Sequence, residues 1–314
     1  MNMEAFVLGT GGTKPLPARH LTSVLLRREG ELFLFDCGEG TQVSMRRLNL
    51  RWKKISVIFI SHTHADHITG LPGMLMLSSQ VERDDPLYVI GPPKIKEFID
   101  ASRDVLEMYI NYDIVVREIE NPGAKQVVYQ GDGFSVRTLP LRHSRTCVGY
   151  VFEEDVRPGM FHPELATAAG VPRGPLWGRL QHGSEVALEN GTIVRPEEVM
   201  GAPRRGRKFS YVTDTLPLPT IAAEVAGSDL LISEGMFEHS LRDTAHSKRH
   251  MTAREAAQIA AEAGGIKQMG LIHYSPRYTE RDLRRLLYEA REIFPQAFLT
   301  RDRQTIPIPH EEDA

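Results

Sequence analysis

The amino-acid sequence predicts a layered α/β fold with β-sheets inside and helices outside. Short apolar and β-branched runs separated by Gly and Pro fill the first half of the chain. A second series follows in which strands alternate with helices, and a long Pro- and Gly-rich stretch separates the two. Mixed strands flanked by helices in both halves are typical of a sandwich in which helices cover packed sheets.

The first half predicts a run of strands and one clear helix. The strands cover 5–9, 22–26, 31–36, 55–61, 87–90, 113–118, 126–129 and 134–139. These runs are rich in the residue types that favour strands and are bounded by turn-forming residues. The helix covers 93–108, where apolar residues recur at three-to-four spacing after an initial proline.

The second half predicts strands at 209–213, 230–234 and 269–273, with helices at 252–263 and 279–293. Residues 155–196, between the two series, are dense in Pro and Gly and contain one short amphipathic segment at 162–169. An insertion of this length in a compact domain is usually functional or flexible. We therefore expect a single domain over 1–314 that carries an inserted flexible arm at 155–196.

Composition limits the classes of protein and of partner. The chain has 314 residues, of which 41% are hydrophobic, which is enough for a sizeable core. Its net charge is -3, so a nucleic-acid partner would have to bind a local basic patch. No apolar run approaches the roughly 20 residues that span a bilayer, and the amino terminus lacks a secretion signal. We expect a cytoplasmic protein with no membrane partner. Two cysteines are too few for a disulfide framework.

The glycine-rich segment GTGG at 9–12 raises the question of nucleotide binding. Its spacing differs from that of a dinucleotide-binding loop, and it leads into a predicted strand rather than a helix. We therefore expect no nucleotide cofactor.

A dense group of metal-binding residue types follows one predicted strand in the segment SHTHADH at 61–67. His62 and His64 alternate along an extended segment and so project on one face, whereas Asp66 and His67 follow where a helix begins. Three further candidates stand at the ends of predicted strands, where loops can converge: His143, Asp214 and His273.

The chemistry of these seven side chains favours zinc, with manganese or iron as alternatives, because they supply nitrogen and oxygen donors and no thiolate. A lone histidine at a strand end is usually structural, but the clustered HxHxDH has no comparably simple structural explanation. We expect two metal ions about 3.5 to 4 Å apart, bridged by one carboxylate that we assign to Asp214.

The order HxHxDH, then separated His, Asp and His, resembles the metallo-β-lactamase superfamily. Within it, the chain resembles the ribonuclease Z family of tRNA 3′-processing endonucleases over nearly its whole length. The matching segments are LGTGG at 8–12, LTSVLL at 21–26, FDCGEGTQ at 35–42, VPRGPLWGRL at 171–180, VTDT at 212–215 and HMTAREAA at 250–257. The resemblance implies a four-layer αβ/βα sandwich, two Zn²⁺ per subunit and a homodimer.

The resemblance also implies roles for individual residues. One ion would be held by His62, His64, His143 and Asp214, and the other by Asp66, His67, Asp214 and His273. Asp66 would orient or deprotonate the attacking water, and His250, supported by Glu234, would protonate the leaving ribose oxygen. The family's usual His-Glu-Ala-Thr here is SEGM at 233–236, and its His-Ser-Thr is HMT at 250–252, so the surrounding hydrogen bonds must differ.

The same resemblance implies a function for the inserted arm, because the corresponding arm of the family binds the tRNA precursor. The implied substrate-binding residues in it are Arg173, Gly174, Pro175 and Arg179. Outside the arm, Arg277 follows His273 closely in sequence and is a candidate phosphate contact. Local arginines of this kind would allow a protein of negative net charge to bind RNA.

Two other functions remain open at this stage. A small-phosphodiester, thioester or lactone hydrolase of the same superfamily would share HxHxDH, but it would not need the arm or the pair Glu234 and His250. An RNA-binding relative without chemistry would have lost at least one ligand, and all seven are present.

Overall fold

The computed structural model describes residues 3–81 and 83–311 of the chain. It divides into two compact units. The first comprises the described residues up to Phe152 and from Arg207 onward, and the second is Glu153–Gly206. In the described part of the chain, no helix is both long and apolar enough to cross a membrane.

The first unit is built on two mixed sheets. In chain order, the first sheet contains β1 (Met3–Gly9), β2 (Ser23–Arg28), β3 (Glu31–Phe35), β4 (Ile55–Phe59), β5 (Leu87–Gly91), β6 (Ile114–Glu118) and β16 (Gln304–Pro307). Its strand order is β16-β1-β2-β3-β4-β5-β6. Strands β3 to β6 run parallel, whereas β1 is antiparallel to both of its neighbours.

The second sheet contains β7 (Val127–Gly131), β8 (Phe134–Arg142), β9 (Thr146–Glu154), β12 (Lys208–Val212), β13 (Leu230–Glu234), β14 (Met269–Ile272) and β15 (Ala297–Leu299). Its order is β15-β14-β13-β12-β9-β8-β7, and β12 to β15 run parallel. Both sheets therefore have a parallel part whose carboxyl ends can carry a site.

Helices accompany both sheets. Those of the first half are α1 (Thr41–Arg47), α2 (Ala65–Ile68), α3 (Leu71–Ser79) and α4 (Ile95–Val105). Those of the second half are α8 (Pro219–Val225), α9 (Arg242–Ser247), α10 (Ala253–Ala263) and α11 (Leu283–Arg291). Single 3₁₀ turns occur at Trp52–Lys54 and His239–Leu241.

The alternation of side chains along the strands creates the layers. In β3, Phe33 and Phe35 belong to the cluster between the two sheets, while Leu32 and Leu34 belong to the cluster under the helices of the first half. The ring centroid of Phe35 lies 5.1 Å from that of Phe209 in the second sheet. A third cluster joins the second sheet to α8, α10 and α11. The result is helix, sheet, sheet and helix in four layers.

The second unit has a small core of its own. It contains α5 (Pro163–Ala168), α6 (Pro175–Gln181), α7 (Pro196–Val199) and a short hairpin of β10 (Val186–Ala187) and β11 (Ile193–Val194). Apolar side chains from these elements and from the loop between α5 and α6 pack together, among them Ala166, Val171 and Leu180. Gly174 precedes α6 with a φ of 151°, a region that favours glycine, and Pro175 begins the helix. Where the chain enters and leaves the unit, Arg157 and Arg204 pair backbone to backbone at 2.8 and 2.9 Å.

Several elements differ from the sequence expectations. The predicted helix at 93–108 is shorter, and α3 was not predicted because its apolar residues surround the helix instead of marking one face. Strand β9 was also missed. It is buried along most of its length, so it lacks the polar and apolar alternation that marks a half-exposed strand.

Candidate metal centre

The loops at one edge of the two sheets bring the candidate ligands together. His62 and His64 follow β4, and Asp66 and His67 lie in α2 just beyond. His143 follows β8, Asp214 follows β12 and His273 follows β14 directly. Because the carboxyl ends of parallel strands share an edge, residues far apart in sequence meet there.

The donor atoms of the seven predicted ligands form two groups. Those of His62, His64, His143 and Asp214 all lie within 4.8 Å of one another, and so do those of Asp66, His67 and His273. Each group supplies imidazole nitrogen and carboxylate oxygen, which suit a borderline or hard divalent cation.

Asp214 joins the groups through its two oxygens. Oδ2 lies 3.6 Å from Nε2 of His62 and 3.6 Å from Nε2 of His143. Oδ1 lies 3.4 Å from Nε2 of His67 and 3.2 Å from Nε2 of His273. Burial raises the pKa of Asp214, but the imidazoles of His273 and His67 outweigh it, and the pKa lies well below its ordinary value. The two oxygens of Asp214 therefore face different donor groups.

Hydrogen bonds fix the protonation of His143 and His62. Nδ1 of His143 lies 3.0 Å from the backbone oxygen of Arg249, which can only accept. The hydroxyl of Ser61 donates to Asp36 at 2.8 Å, so it accepts from Nδ1 of His62 at 3.0 Å. In both rings Nδ1 therefore carries the proton, and the lone pair of Nε2 is free to bind a cation.

The same logic applies to His67 and His273. Nδ1 of His67 donates to Oδ2 of Asp36 at 2.7 Å. The hydroxyl of Thr22 donates to a backbone oxygen at 3.0 Å and accepts from Nδ1 of His273 at 2.7 Å. Nε2 of His67 is buried and has no hydrogen-bond partner among the residues that the structure describes. A buried acceptor of this kind is expected where a cation binds.

His64 differs from the other four imidazoles in the nitrogen that it presents. Its Nδ1 lies 3.0 Å from Nε2 of His62 and 3.1 Å from Nε2 of His143, so three ring nitrogens converge on one point. With the Asp214 oxygen they make a four-donor group. The residues present therefore fit divalent metal ions.

Asp36 is a candidate functional residue that sequence reasoning missed. It lies directly after β3, is completely buried, and accepts hydrogen bonds from His67, from the backbone and hydroxyl of Ser61, and from Tyr211 at 2.7 to 2.8 Å. Asp36 therefore orients His67 directly and orients His62 through Ser61. The signal that could have revealed it is an acid at the end of a fully apolar strand in FDCGEGTQ.

The loop between β1 and β2 supports the second donor group. The backbone N–H of Thr13 donates to Oδ2 of Asp66 at 2.5 Å, and that oxygen lies 3.8 Å from Nε2 of both His67 and His273. Burial raises the pKa of Asp66, but the imidazoles of His67 and His273 lower it by more than burial raises it. The pKa of Asp66 therefore lies below its ordinary value. At Gly12, a Cβ atom would lie only 2.7 Å from Nε2 of His273.

Glu234 and His250 form a buried pair beside the donor groups. Nδ1 of His250 lies 3.2 and 3.3 Å from the two oxygens of Glu234, and its Nε2 lies 4.0 Å from Oδ2 of Asp214. Burial lowers the pKa of His250, but the carboxylates of Glu234 and Asp214 together more than compensate and the pKa rises to about 9. Thr252, two residues on, caps α10 in a reciprocal pair of hydrogen bonds with Glu255 and so fixes where the helix begins.

The two departures from the family motifs have visible consequences. Met251 packs its side chain in the core, and its backbone N–H lies 3.4 Å from Glu234 Oε2. The hydroxyl of Ser233 bonds to a backbone oxygen at 3.1 Å. The backbone N–H of Thr215 donates to Glu234 at 2.6 Å, which holds the carboxylate from the other side.

A cavity of about 550 Å³ opens onto these groups. Its walls include Lys248 and Arg249, two cations that sequence reasoning did not single out. Arg277 is not one of the lining residues; it is exposed, and its guanidinium lies 5.0 Å from the centroid of the Phe237 ring. The other proposed substrate-binding residues, Arg173, Gly174, Pro175 and Arg179, lie in the second unit.

Curated relatives match the chain over nearly its whole length. It is 61% identical to the ribonuclease Z of Treponema denticola over 99% of this chain and 100% of that protein. It is 44% identical to the ribonuclease Z of Borrelia hermsii over 96% of each. A family model described as Anti-Pycsar protein Apyc1 matches residues 3–102.

Solved structures establish the fold. The short form of human tRNase Z superposes with a TM-score of 0.69 at 24% identity, covering 98% of this chain and 99% of that one. The metallo-β-lactamase fold protein YhfI of Bacillus subtilis gives 0.67 at 19% identity, covering 98% and 100%. The four-layer architecture is thus the metallo-β-lactamase fold. The identity to the curated relatives over nearly the full length shows that the chain belongs to the ribonuclease Z family.

Proposed function

We propose that this protein is a metal-dependent endoribonuclease that removes the 3′ trailer from tRNA precursors. The observation that carries the proposal is the position of Asp214, whose two carboxylate oxygens face two separate donor groups. Paired divalent ions bridged in this way are a recurring solution for phosphodiester hydrolysis. The names of the relatives supply the substrate class.

The donor set supports two Zn²⁺ per subunit, with Mn²⁺ or Fe²⁺ as alternatives, because imidazole predominates and thiolate is absent from the seven residues. The first ion would take His62, His64, His143 and Asp214, and the second Asp66, His67, Asp214 and His273. When bound, such ions supply Lewis-acid activation of the attacking water and of the phosphodiester.

The protein's own residues would orient the reactants and move protons. Asp66, held by the Thr13 N–H, would orient the attacking water or accept its proton. His250 would donate a proton from Nε2 to the departing ribose oxygen, while Glu234 accepts from Nδ1 and fixes the ring. Lys248 and Arg249 would place positive charge beside the anionic substrate.

The second unit would serve as the tRNA-binding arm, at 155–196. Its own core can hold a fixed shape, and Arg173 and Arg179 are exposed on it as potential phosphate contacts. Gly174 and Pro175 set the start of α6 between these arginines. We keep Arg277 as a further proposed phosphate contact.

We also propose a homodimer in the cytoplasm, where tRNA precursors are processed. Helices α1 and α3 contact one another and expose Val43 and Met76. We propose that these two side chains belong to the surface that pairs with another copy.

The test compares two substrates: a tRNA precursor with a 3′ trailer, and the small phosphodiester bis(p-nitrophenyl) phosphate. His62→Ala and Asp66→Ala should each lower cleavage of both by at least about a hundredfold without unfolding the protein. Full precursor cleavage by either variant would refute the assignment of the metal centre.

The arm can be removed where its two ends meet, at the backbone hydrogen bonds between Arg157 and Arg204. Residues 158–203 are replaced by Asn-Gly, a favoured two-residue turn that would join the paired residues Arg157 and Arg204. We expect this variant to keep hydrolysis of the small phosphodiester and to lose most precursor cleavage through a higher KM. Equal loss on both substrates would show that the arm is structural. Hydrolysis of small esters alone by the intact protein would favour a different hydrolase of the same superfamily.

A further inference from the structure

Arg249 and His143 hold one another through two hydrogen bonds. Nη1 of Arg249 donates to the backbone oxygen of His143 at 2.7 Å. In return, Nδ1 of His143 donates to the backbone oxygen of Arg249 at 3.0 Å. The pair joins the loop after β8 to the segment before α10, across 106 positions of sequence. The residue that follows Arg249 is His250.

The backbone of Arg249 has an unusual conformation. Its φ is 58°, in the left-handed region of backbone conformation that residues other than glycine rarely adopt. The chain reverses here after α9, with the N–H of Arg249 bonded to His246 and that of His250 to Ala245, both at 2.9 Å. A glycine would make this turn with less strain. Strained residues persist where the surrounding structure holds them, often at functional sites.

The geometry has two consequences for the site. The reversal turns the backbone oxygen of Arg249 towards His143, which fixes the proton on Nδ1 and leaves Nε2 facing Asp214 at 3.6 Å. It also sets His250 with Nε2 4.0 Å from the same oxygen of Asp214. One residue thus lies between a metal-binding imidazole and the imidazole that would protonate the leaving group.

We infer that Arg249 is a positioning residue that couples the orientation of His143 to that of His250. The guanidinium of Arg249 makes one of the two hydrogen bonds of the pair. Removing this side chain should therefore loosen both the loop that carries His143 and the segment that carries His250. The inference rests on the proposed function for its effect on catalysis. Its effect on metal binding can be measured separately.

Lys248 provides a matched control. It is the neighbouring cation, it is exposed, and it lines the same cavity. In the part of the chain that the structure describes, no hydrogen bond joins its side chain to His143. Removing Lys248 therefore removes the same charge from the cavity and leaves the His143 pair intact.

The experiment compares Arg249→Ala, Arg249→Gly, Arg249→Lys and Lys248→Ala. The affinity of the metal-free protein for Zn²⁺ is measured by competition with a chromogenic chelator, and kcat and KM are measured on a tRNA precursor. We expect Arg249→Ala and Arg249→Gly to weaken Zn²⁺ binding by about 10- to 100-fold, the range found when supports of metal ligands are removed, and to lower kcat more than they raise KM. Arg249→Lys should recover part of both losses, whereas Lys248→Ala should raise KM and leave Zn²⁺ affinity unchanged.

Three results would overturn the inference. The first is wild-type Zn²⁺ affinity and kcat in Arg249→Ala. The second is recovery in Arg249→Gly, which would make the backbone turn alone responsible. The third is an equal loss of Zn²⁺ affinity in Lys248→Ala, which would make cavity charge the cause. If the wild-type protein binds Zn²⁺ but leaves the precursor uncut, the proposed function is wrong. The Zn²⁺ affinities of the Arg249 and Lys248 variants still test whether Arg249 positions His143.

Discussion

Oδ2 of Asp36 lies 2.7 Å from Nδ1 of His67, and both side chains are completely buried. The same carboxylate accepts from Ser61, whose hydroxyl in turn supports His62. One acid outside the donor groups therefore fixes a histidine in each of them. We therefore expect metal binding here to depend on Asp36 as well as on the donor residues themselves.

Asp36→Asn should damage both stability and metal binding. The amide keeps the shape but turns a donor towards groups that already donate, which leaves at least one buried hydrogen bond unmade. We expect a loss of about 1 to 3 kcal/mol in the free energy of unfolding and about 10- to 100-fold weaker Zn²⁺ binding. Urea unfolding of the metal-free protein and chelator competition measure the two effects. Asp132→Asn, at an exposed turn, is the control and should change neither.

His250→Ala should lower kcat on a tRNA precursor by about 10²- to 10⁴-fold, the range for loss of a general acid. Bis(p-nitrophenyl) phosphate releases a weakly basic phenolate that needs little protonation, so its hydrolysis should fall far less. Glu234→Gln should show the same selectivity with a smaller loss, because the ring remains. Parallel losses on both substrates would assign His250 to binding or structure instead of proton transfer.

Gly12→Ala should disable the second donor group. The added Cβ would lie 2.7 to 3.0 Å from three atoms of the His273 ring, so either the ring or the loop has to move. We expect weaker Zn²⁺ binding and a lower kcat, measured by elemental analysis after gel filtration and by precursor cleavage. Gly178→Ala, where a Cβ meets open space within helix α6, is the matched control and should bind metal normally. Normal zinc content in Gly12→Ala would contradict the contact.

Removing metal should abolish cleavage and lower the melting temperature. A ligand present at a hundred times its Kd stabilises the folded state by about 2.7 kcal/mol, so chelation should remove at least that much where binding is tight. Differential scanning calorimetry before and after chelation measures the shift, and added Zn²⁺ should restore both properties. His182→Ala, at an exposed position in the second unit, should show the same shift as the unaltered protein. An unchanged melting temperature would argue against ions in the buried groups.

The sequence by itself identified the family and indicated the chemistry of the site. Seven histidines and aspartates in a characteristic order at predicted strand ends indicated a two-metal centre, and local patterns located most strands and the longer helices. These features depend on residue type and short-range spacing, which a single chain displays directly. The same information failed where burial on all sides removes periodicity, as in β9 and α3.

Only the tertiary structure decided which atoms face one another. The division of the two Asp214 oxygens between donor groups, the burial of Asp36 and the pairing of Arg249 with His143 arise from loops that are distant in sequence and meet at one sheet edge. A hydrogen bond depends on ångström distances and on which nitrogen carries a proton, and neither is encoded in local composition. For that reason a set of candidate ligands could be proposed from the sequence, whereas the residues that orient them could not.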